Sequence, residues 1–200
     1  GFYFRRRMDF GHNIYTHIAI RECVTKKIIG YFAILPVTDE LFEKIKLGDF
    51  KDNDLSIEKI RQYNMPDFYK LYIAAIGINP EYQNTSALGK LLYAAINMMY
   101  NLALTREVYI TDIITEASTP QGARLCEIFK LQKLKDTSLN TTLYTTSLLP
   151  PALRLHNLFG KRLIEFYVPE YFALLYVCTP STSLVSRRPE EGSGSPDLEF

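Results

Sequence analysis

Apolar positions along this chain switch repeatedly between a two-residue and a 3.6-residue period, and the switches mark its elements. Ile14 to Glu22 alternates apolar with polar, and Lys27 to Val37 does so again after a short turn containing Thr and Lys, predicting an antiparallel hairpin. Leu41, Phe42, Ile45 and Leu47 then recur at helical spacing over Asp39 to Leu47, and Gly48 supplies a C-terminal stop. Ser56 is placed to cap a short helix over Ile57 to Tyr63, after which Pro66 returns the chain to extended structure.

Leu71 to Ile78 is a run of eight apolar or aromatic residues without charge, the pattern of a central strand buried on both faces. Pro80 ends it by removing a ladder donor. Ala87, Leu88, Leu91, Leu92, Ala95, Ile96, Met99 and Leu102 form a helical stripe of about four or five turns. Val108 to Thr115 is a second uncharged-rich strand. Strand, crossover helix and strand make a right-handed unit, so the two strands are expected to run parallel.

Ser118, Thr119 and Pro120 open the next helix, Gln121 to Leu131, and Thr141 to Leu148 is rich in β-formers. Pro150 and Pro151 precede a helical pattern through Leu153, Leu155, Leu158, Leu163 and Ile164, while Tyr171 to Cys178 is either a strand or a packed helical turn. Beyond it Ser, Pro, Gly and charge dominate, so Ser186 to Phe200 reads as a disordered or vector-derived tail. The expected organisation is an extension over 1–13, a domain over 14–178 with a helical addition from about 150, and a tail over 179–200.

Composition adds limits. A 47% hydrophobic content over 200 residues supports one domain with a sizeable core. The 23 basic and 22 acidic residues leave a net charge of +1, no global field for nucleic acid or an anionic membrane. Arg5, Arg6 and Arg7 sit among aromatics and read as a solvated edge. Three widely spaced cysteines, Cys23, Cys126 and Cys178, fit neither a disulfide framework nor a zinc ribbon. No apolar run reaches the ~18 to 20 residues that span a bilayer. The expectation is a soluble, cytoplasmic protein without membrane or nucleic-acid partners.

Metal chemistry finds little support. His12, His17 and His156 lack ligand spacing. Asp49, Asp52 and Asp54 imitate a calcium loop, but Ile57 stands where its glycine is required. No metal is expected.

The informative turn is Glu81 to Ser86, between the central strand and the long helix. Free N–H groups at a helix start, aided by the macrodipole, suit a phosphate. A nucleoside-triphosphate loop does not fit, because Gly89 and Lys90 are followed by Leu91 and no glycine lies five residues before Gly89. The glycines of a dinucleotide fingerprint are missing too.

Ile78-Asn79-Pro80-Glu81-Tyr82-Gln83-Asn84-Thr85-Ser86-Ala87-Leu88-Gly89 resembles the acetyl-CoA motif of the GNAT acyltransferase superfamily, in which a strand ends in Val-x-Pro before a loop Arg/Gln-x-x-Gly-x-Gly/Ala. Ile78, Pro80 and Gln83 match; Ser86 and Leu88 stand where that family has small residues. The resemblance covers about Ile14 to Leu148 and implies an α/β (α+β) fold, a mixed, splayed sheet flanked by helices. It implies that the cofactor-binding set is the backbone of Ile76 and Ile78 for the thioester and Gln83, Asn84, Thr85, Ser86, Ala87, Leu88 and Gly89 for the pyrophosphate. It also implies a splay beside the central strand, where Gly77 suits a bulge or a close approach.

The resemblance further implies acetyl transfer from acetyl-CoA to an amine-bearing acceptor by direct attack. At the positions of its catalytic carboxylate and tyrosine stand Tyr72 and Cys126, and Lys130 replaces a glycine. Each of the two side chains also reads as plain core. Glu116 and Asp112, near a strand end, are candidates to meet a cationic acceptor. An alternative stays open: a degenerate, non-catalytic module of the same fold that binds acyl-CoA or a protein partner. The family's helices upstream of the hairpin have no counterpart in thirteen residues, so they are expected from a missing N-terminal segment or from another subunit in a homo-oligomer.

Overall fold

The computed structural model describes residues 13, 15–51, 54–149, 165 and 167–169. Its strands are β1 (His17–Arg21), β2 (Ile28–Val37), β3 (Asp67–Ile78), β4 (Val108–Ala117), β5 (Gln132–Asp136) and β6 (Thr142–Ser147). Its helices are α1 (Asp39–Leu47), α2 (Ala87–Arg106) and α3 (Pro120–Ile128). The strands form one six-stranded sheet in the order β1-β2-β3-β4-β6-β5. β3 and β4 are parallel; the other neighbours are antiparallel. This is the α/β class with the mixed sheet that the sequence predicts.

Period-two alternation sorts the sheet into two faces. On one, Tyr69 and Leu71 of β3 and Ile110 of β4 pack against Leu91, Ala95, Met99 and Leu102 of α2. On the other, Leu35 and Val37 of β2, Tyr72 of β3, Ile114 of β4 and Leu143 of β6 meet Leu41, Phe42 and Ile45 of α1. Fully burying each such aliphatic side chain contributes roughly 1.5–3 kcal/mol, so the sheet is held from both sides.

Local signals are realised where backbone geometry demands them. Thr38 caps α1 by accepting from the Leu41 N–H at 3.3 Å, and Gly48 ends it at φ 74°, a left-handed conformation that favours glycine. Thr119 caps α3 through the Gly122 N–H at 3.1 Å, with Pro120 in the first turn.

Three expectations change. The segment after Ser56 is only a 3-10 turn, Ile57–Lys59, and Ser56 makes no side-chain cap. Helix gives way there because Ile60 turns extended to bridge Val37, and the Arg61 N–H donates to the Pro36 carbonyl at 2.8 Å. α3 stops at Ile128 rather than Leu131, because Lys130 takes φ 59° and the Leu131 N–H turns back to the Cys126 carbonyl at 2.9 Å. β5 carries no sequence signal: every one of its residues is exposed, as befits a lysine-bearing edge strand. The expectations for 1–12, Leu153–Ile164, Tyr171–Cys178 and 179–200 lie outside the described residues.

One core tyrosine is left in an expensive position. Tyr69 donates to the Gln62 and Met65 carbonyls at 3.0 and 3.1 Å, but the Tyr63 hydroxyl beside it is buried without a partner among the described residues. Burial pushes that phenol far above its ordinary range. An unpaired buried hydroxyl costs about 1–3 kcal/mol. Tyr63→Phe is therefore expected to leave stability unchanged or raise it by about 1 kcal/mol in urea unfolding, and a loss above about 1 kcal/mol would show that the hydroxyl has a partner.

Candidate active site

β3 and β4 are paired only in part. Their parallel rungs run from Asp67–Val108 to Ile73–Thr115 and end there, although β3 continues to Ile78 and β4 to Ala117. A β-bulge lies at the same place: between the Ile34–Ile73 and Ala33–Ala75 pairs, β3 advances two residues while β2 advances one, so Ala74 is the extra residue. A bulge bends its strand, and this one coincides with the last rung that β3 shares with β4. The Thr115 hydroxyl closes the last rung by donating to the Ile73 carbonyl at 3.0 Å.

Register shows which backbone groups face the opening. Asn79 donates its N–H to the Ile29 carbonyl of β2 at 2.8 Å, so by alternation Gly77 faces β2, while Ile76 and Ile78 turn their N–H and C=O groups toward the gap. β4 goes on without β3, pairing its Glu116 and Ala117 with Leu143 and Thr142 of β6. The result is a wedge at the C-terminal end of two parallel strands. This is the mixed α/β sheet expected above.

Of the two expectations for Gly77, a bulge or a close approach, the second holds, and the bulge sits at Ala74. Gly77 serves a different need: a Cβ there would fall 2.7 Å from Cε1 of the Tyr31 ring. It is a close approach, made to an aromatic ring of β2.

The turn leading out of this wedge is organised by local hydrogen bonds. Asn79 accepts the Glu81 N–H at 3.1 Å to start a 3-10 turn, Pro80–Tyr82. Thr85 accepts the Ala87 N–H at 3.2 Å. The following first-turn donors of α2, Leu88 and Gly89, have no intrahelical partner. Gly89 is exposed, and a Cβ placed on it would meet nothing within 4 Å, so the backbone there is open to approach. Leu88 is half-buried on the same helix face as Leu92, which packs into the α2 core. Gln83 folds back, its amide 3.5 Å from the Ile78 carbonyl. The Tyr82 hydroxyl donates to Glu22 at 2.9 Å and so ties the β1–β2 turn to this loop.

Tyr72 and Cys126 do not meet. Tyr72 lies in the α1-side core, its ring edge-on to Phe50 at 5.4 Å. Cys126 packs with Ala117 and Tyr144 on the other face, since Tyr144 and Leu143 are adjacent on β6 and point oppositely. Burial pushes the Cys126 thiol up to about 11. Lys130, at the glycine position of the resemblance, does adopt the left-handed φ of 59° that glycine suits.

The remaining carboxylates divide by partner. Asp112 is in register with Lys70 and helps, after Asp39 and Glu43, to raise that ammonium's pKa against the opposing effect of burial; it belongs to a structural charge cluster. Asp54 pairs with Lys44 at 2.8 Å and accepts the Lys51 N–H at 2.8 Å, so it is engaged in holding the loop after α1. Among the described residues no cluster of three or more metal-ligating side chains occurs, and no helix is long and apolar enough to cross a membrane.

No protein-family model and no curated protein matches this chain. Among solved structures it is similar to that of the KacTA–DNA complex, at 10% identity and a TM-score of 0.43, covering 76% of this chain and 72% of that one. A mosquito arylalkylamine N-acetyltransferase like 5b gives 9% identity and 0.42, covering 66% and 74%. AtaTR bound with AcCoA gives 12% and 0.40, covering 64% and 66%. Likenesses of this size leave the functional question to the site itself.

Cys126 makes a direct test of the site's electrostatics. A thiol moved from 9.0 to about 11 holds about a hundredfold less thiolate at neutral pH. Iodoacetamide at pH 7.5, followed by peptide mass spectrometry, is expected to label exposed Cys23 at least tenfold faster than Cys126. Comparable rates would mean that the thiol is neither buried nor raised.

Proposed function

We propose that this protein is an acyl-CoA-dependent N-acyltransferase, transferring acetyl from acetyl-CoA to an amine. The observation that supports this reading is that, among the described residues, β3 has no strand partner on its β4 side after Ile73, where the Ala74 bulge lies and the chain goes on to the first turn of α2. Strand-edge N–H and C=O groups are a template for an extended, amide-bearing chain, which is what the pantetheine arm presents.

In this scheme the pantetheine lies along β3 as an added strand, and the backbone of Ile76 and Ile78 aligns the thioester. The pyrophosphate is received by Gln83, Asn84, Thr85, Ser86, Ala87, Leu88 and Gly89, chiefly through N–H groups and the macrodipole of the 20-residue helix. The neutral amine attacks the thioester carbonyl and forms the C–N bond. Collapse of the tetrahedral oxyanion breaks the C–S bond, a proton leaves the nitrogen, and the CoA thiolate takes up a proton. Cys126 would enter as a neutral thiol donor on the α3 side, and Tyr72 as part of the acceptor floor on the α1 side.

A second reading has its own support. Tyr72 is packed against Phe50, and a thiol near 11 is a poor acid toward a CoA thiolate. Both facts favour a module of this fold that binds acyl-CoA without turning it over.

Calorimetric titration of acetyl-CoA tests the shared core of the two readings. Saturable micromolar binding, about −8 kcal/mol, is expected. Ser86→Asp is the control: aspartate at this N-cap preserves or strengthens the helix but places negative charge where pyrophosphate would sit. It is expected to weaken binding at least tenfold without lowering the melting temperature. No acetyl-CoA binding by the folded wild type would sink the proposal, and binding without acetyl transfer to any amine would select the second reading.

A further inference from the structure

Glu116 is the first residue of β4 past the last rung shared with β3. It lies two positions beyond Ile114 and opposite Leu143, so it belongs to the face that α1 covers, the face of Tyr72. Its carboxylate is half-buried and held by hydroxyls alone. The Thr141 hydroxyl donates to Oε1, and Thr137 Oγ1 lies 3.4 Å from the same oxygen. The two threonines are fixed in turn: their hydroxyls are 2.5 Å apart, and the Thr137 N–H donates to the Thr141 carbonyl at 2.8 Å.

Glu116 differs from the ion-paired carboxylates, and from Glu22, which is also held by two hydroxyls but at an exposed turn, by its place at the strand end. Glu40, Asp54, Asp67 and Asp136 each sit against a lysine or arginine, whereas no Lys or Arg lies within ion-pair distance of Glu116 among the described residues. Two hydroxyls orient one oxygen and leave the formal charge uncompensated. A half-buried carboxylate in that condition attracts a cation, because partial desolvation strengthens the pairing. It stands at the carboxyl end of parallel strands, where ligands of open α/β sheets bind. Half-buried Ala74 and Phe50 share this face, and the loop after α1 reaches it at Gly48, where a Cβ would lie 2.8 Å from Lys135 Nζ and 3.7 Å from Leu143 Cδ1; the Lys135 ammonium is engaged by donating to the Leu47 carbonyl.

We infer that Glu116 is the acceptor anchor, pairing with the ammonium group of a primary amine that carries an apolar body and enters the wedge on the α1 face. The inference rests on the reading of the wedge as the site of acyl transfer. It moves the carboxylate absent at Tyr72 to the neighbouring strand. The ammonium pairs with the carboxylate and gives one proton to solvent water before the neutral amine attacks.

The test separates acceptor binding from acyl-CoA binding. Hexylamine, a cation at pH 7.5, and its neutral N-acetyl derivative are titrated into the wild-type protein by NMR, following the amides of Glu116 and Leu143, at low and high salt. Hexylamine is expected to shift those amides saturably, at least tenfold more tightly than the amide derivative, and to weaken with salt. Glu116→Gln, whose amide oxygen can still accept from the threonines, is expected to raise the hexylamine Kd at least tenfold while leaving the acetyl-CoA Kd within twofold. Should that variant fail to fold, the wild-type comparison of amine with amide decides alone. Equal binding of the two probes, equal binding by Glu116→Gln, or no hexylamine shift at these amides in a protein that binds acetyl-CoA would overturn the inference and leave the acyl-CoA reading standing. Glu116-dependent amine binding without acetyl-CoA binding would uphold the anchor and remove the acyl-transfer reading.

Discussion

A parallel pair of strands that comes apart halfway governs this structure. Parallel pairing demands a long crossover, which α2 supplies, and pairing through Ile73–Thr115 gives the sheet its middle. Beyond that rung lies the extra residue at Ala74, and Thr115 seals the seam with its hydroxyl. Ile76, Ile78 and Glu116 lie beyond that rung, and Tyr72 lies one rung before it. Past that rung each strand keeps a partner on its outer side, β3 on β2 and β4 on β6.

Keeping such a gap requires a rigid surround. Leu91, Leu102, Val108 and Ile110 are among the most buried residues on the α2 face, and Leu35, Leu41, Ile45 and Leu143 serve the α1 face. At the other end of the sheet, Arg61 stacks 4.0 Å over the Tyr69 ring while its guanidinium reaches Asp67 at 2.5 Å and the Phe68 carbonyl at 2.9 Å. Tyr167 adds a further fastening by accepting the Ile110 N–H at 3.0 Å with its ring edge-on to Tyr109. The base of β3 and β4 is thus held tightly, and the separation is confined to their C-terminal ends.

Strong periodicity and strong local chemistry were legible in advance. α1 with its Gly48 end, the β2 and β4 runs, and the parallel βαβ unit follow from spacing, the C-terminal stop and connection rules, while the Thr38 cap emerged only in the structure. β5 was invisible because an exposed edge strand has no apolar face to alternate, and the Ile57–Tyr63 helix was over-read because its cap residue was present while a tertiary bridge from Ile60 to Val37 prevailed. Glu116 was legible only as a strand-end carboxylate. Its threonine partners come from a turn more than twenty residues later in the chain.

By itself the sequence determined where α1 and α3 start and that a turn joins the central strand to a long helix, because these depend on residues within a few positions of one another; the run Leu71–Ile78, which reads as buried on both faces, is only half-buried from Ile73 on. Tertiary structure alone decided where the sheet opens, which residue bulges, that Ile76 and Ile78 face the opening, and that Tyr72 and Cys126 lie on opposite faces. Those outcomes depend on strand register, which is set by long-range pairing and slips by whole residues with no change in local pattern. Asp112 and Glu116 make the difference concrete. Both are carboxylates near the end of the same strand, but pairing places one opposite Lys70 and the other beside two hydroxyls at the mouth of the gap.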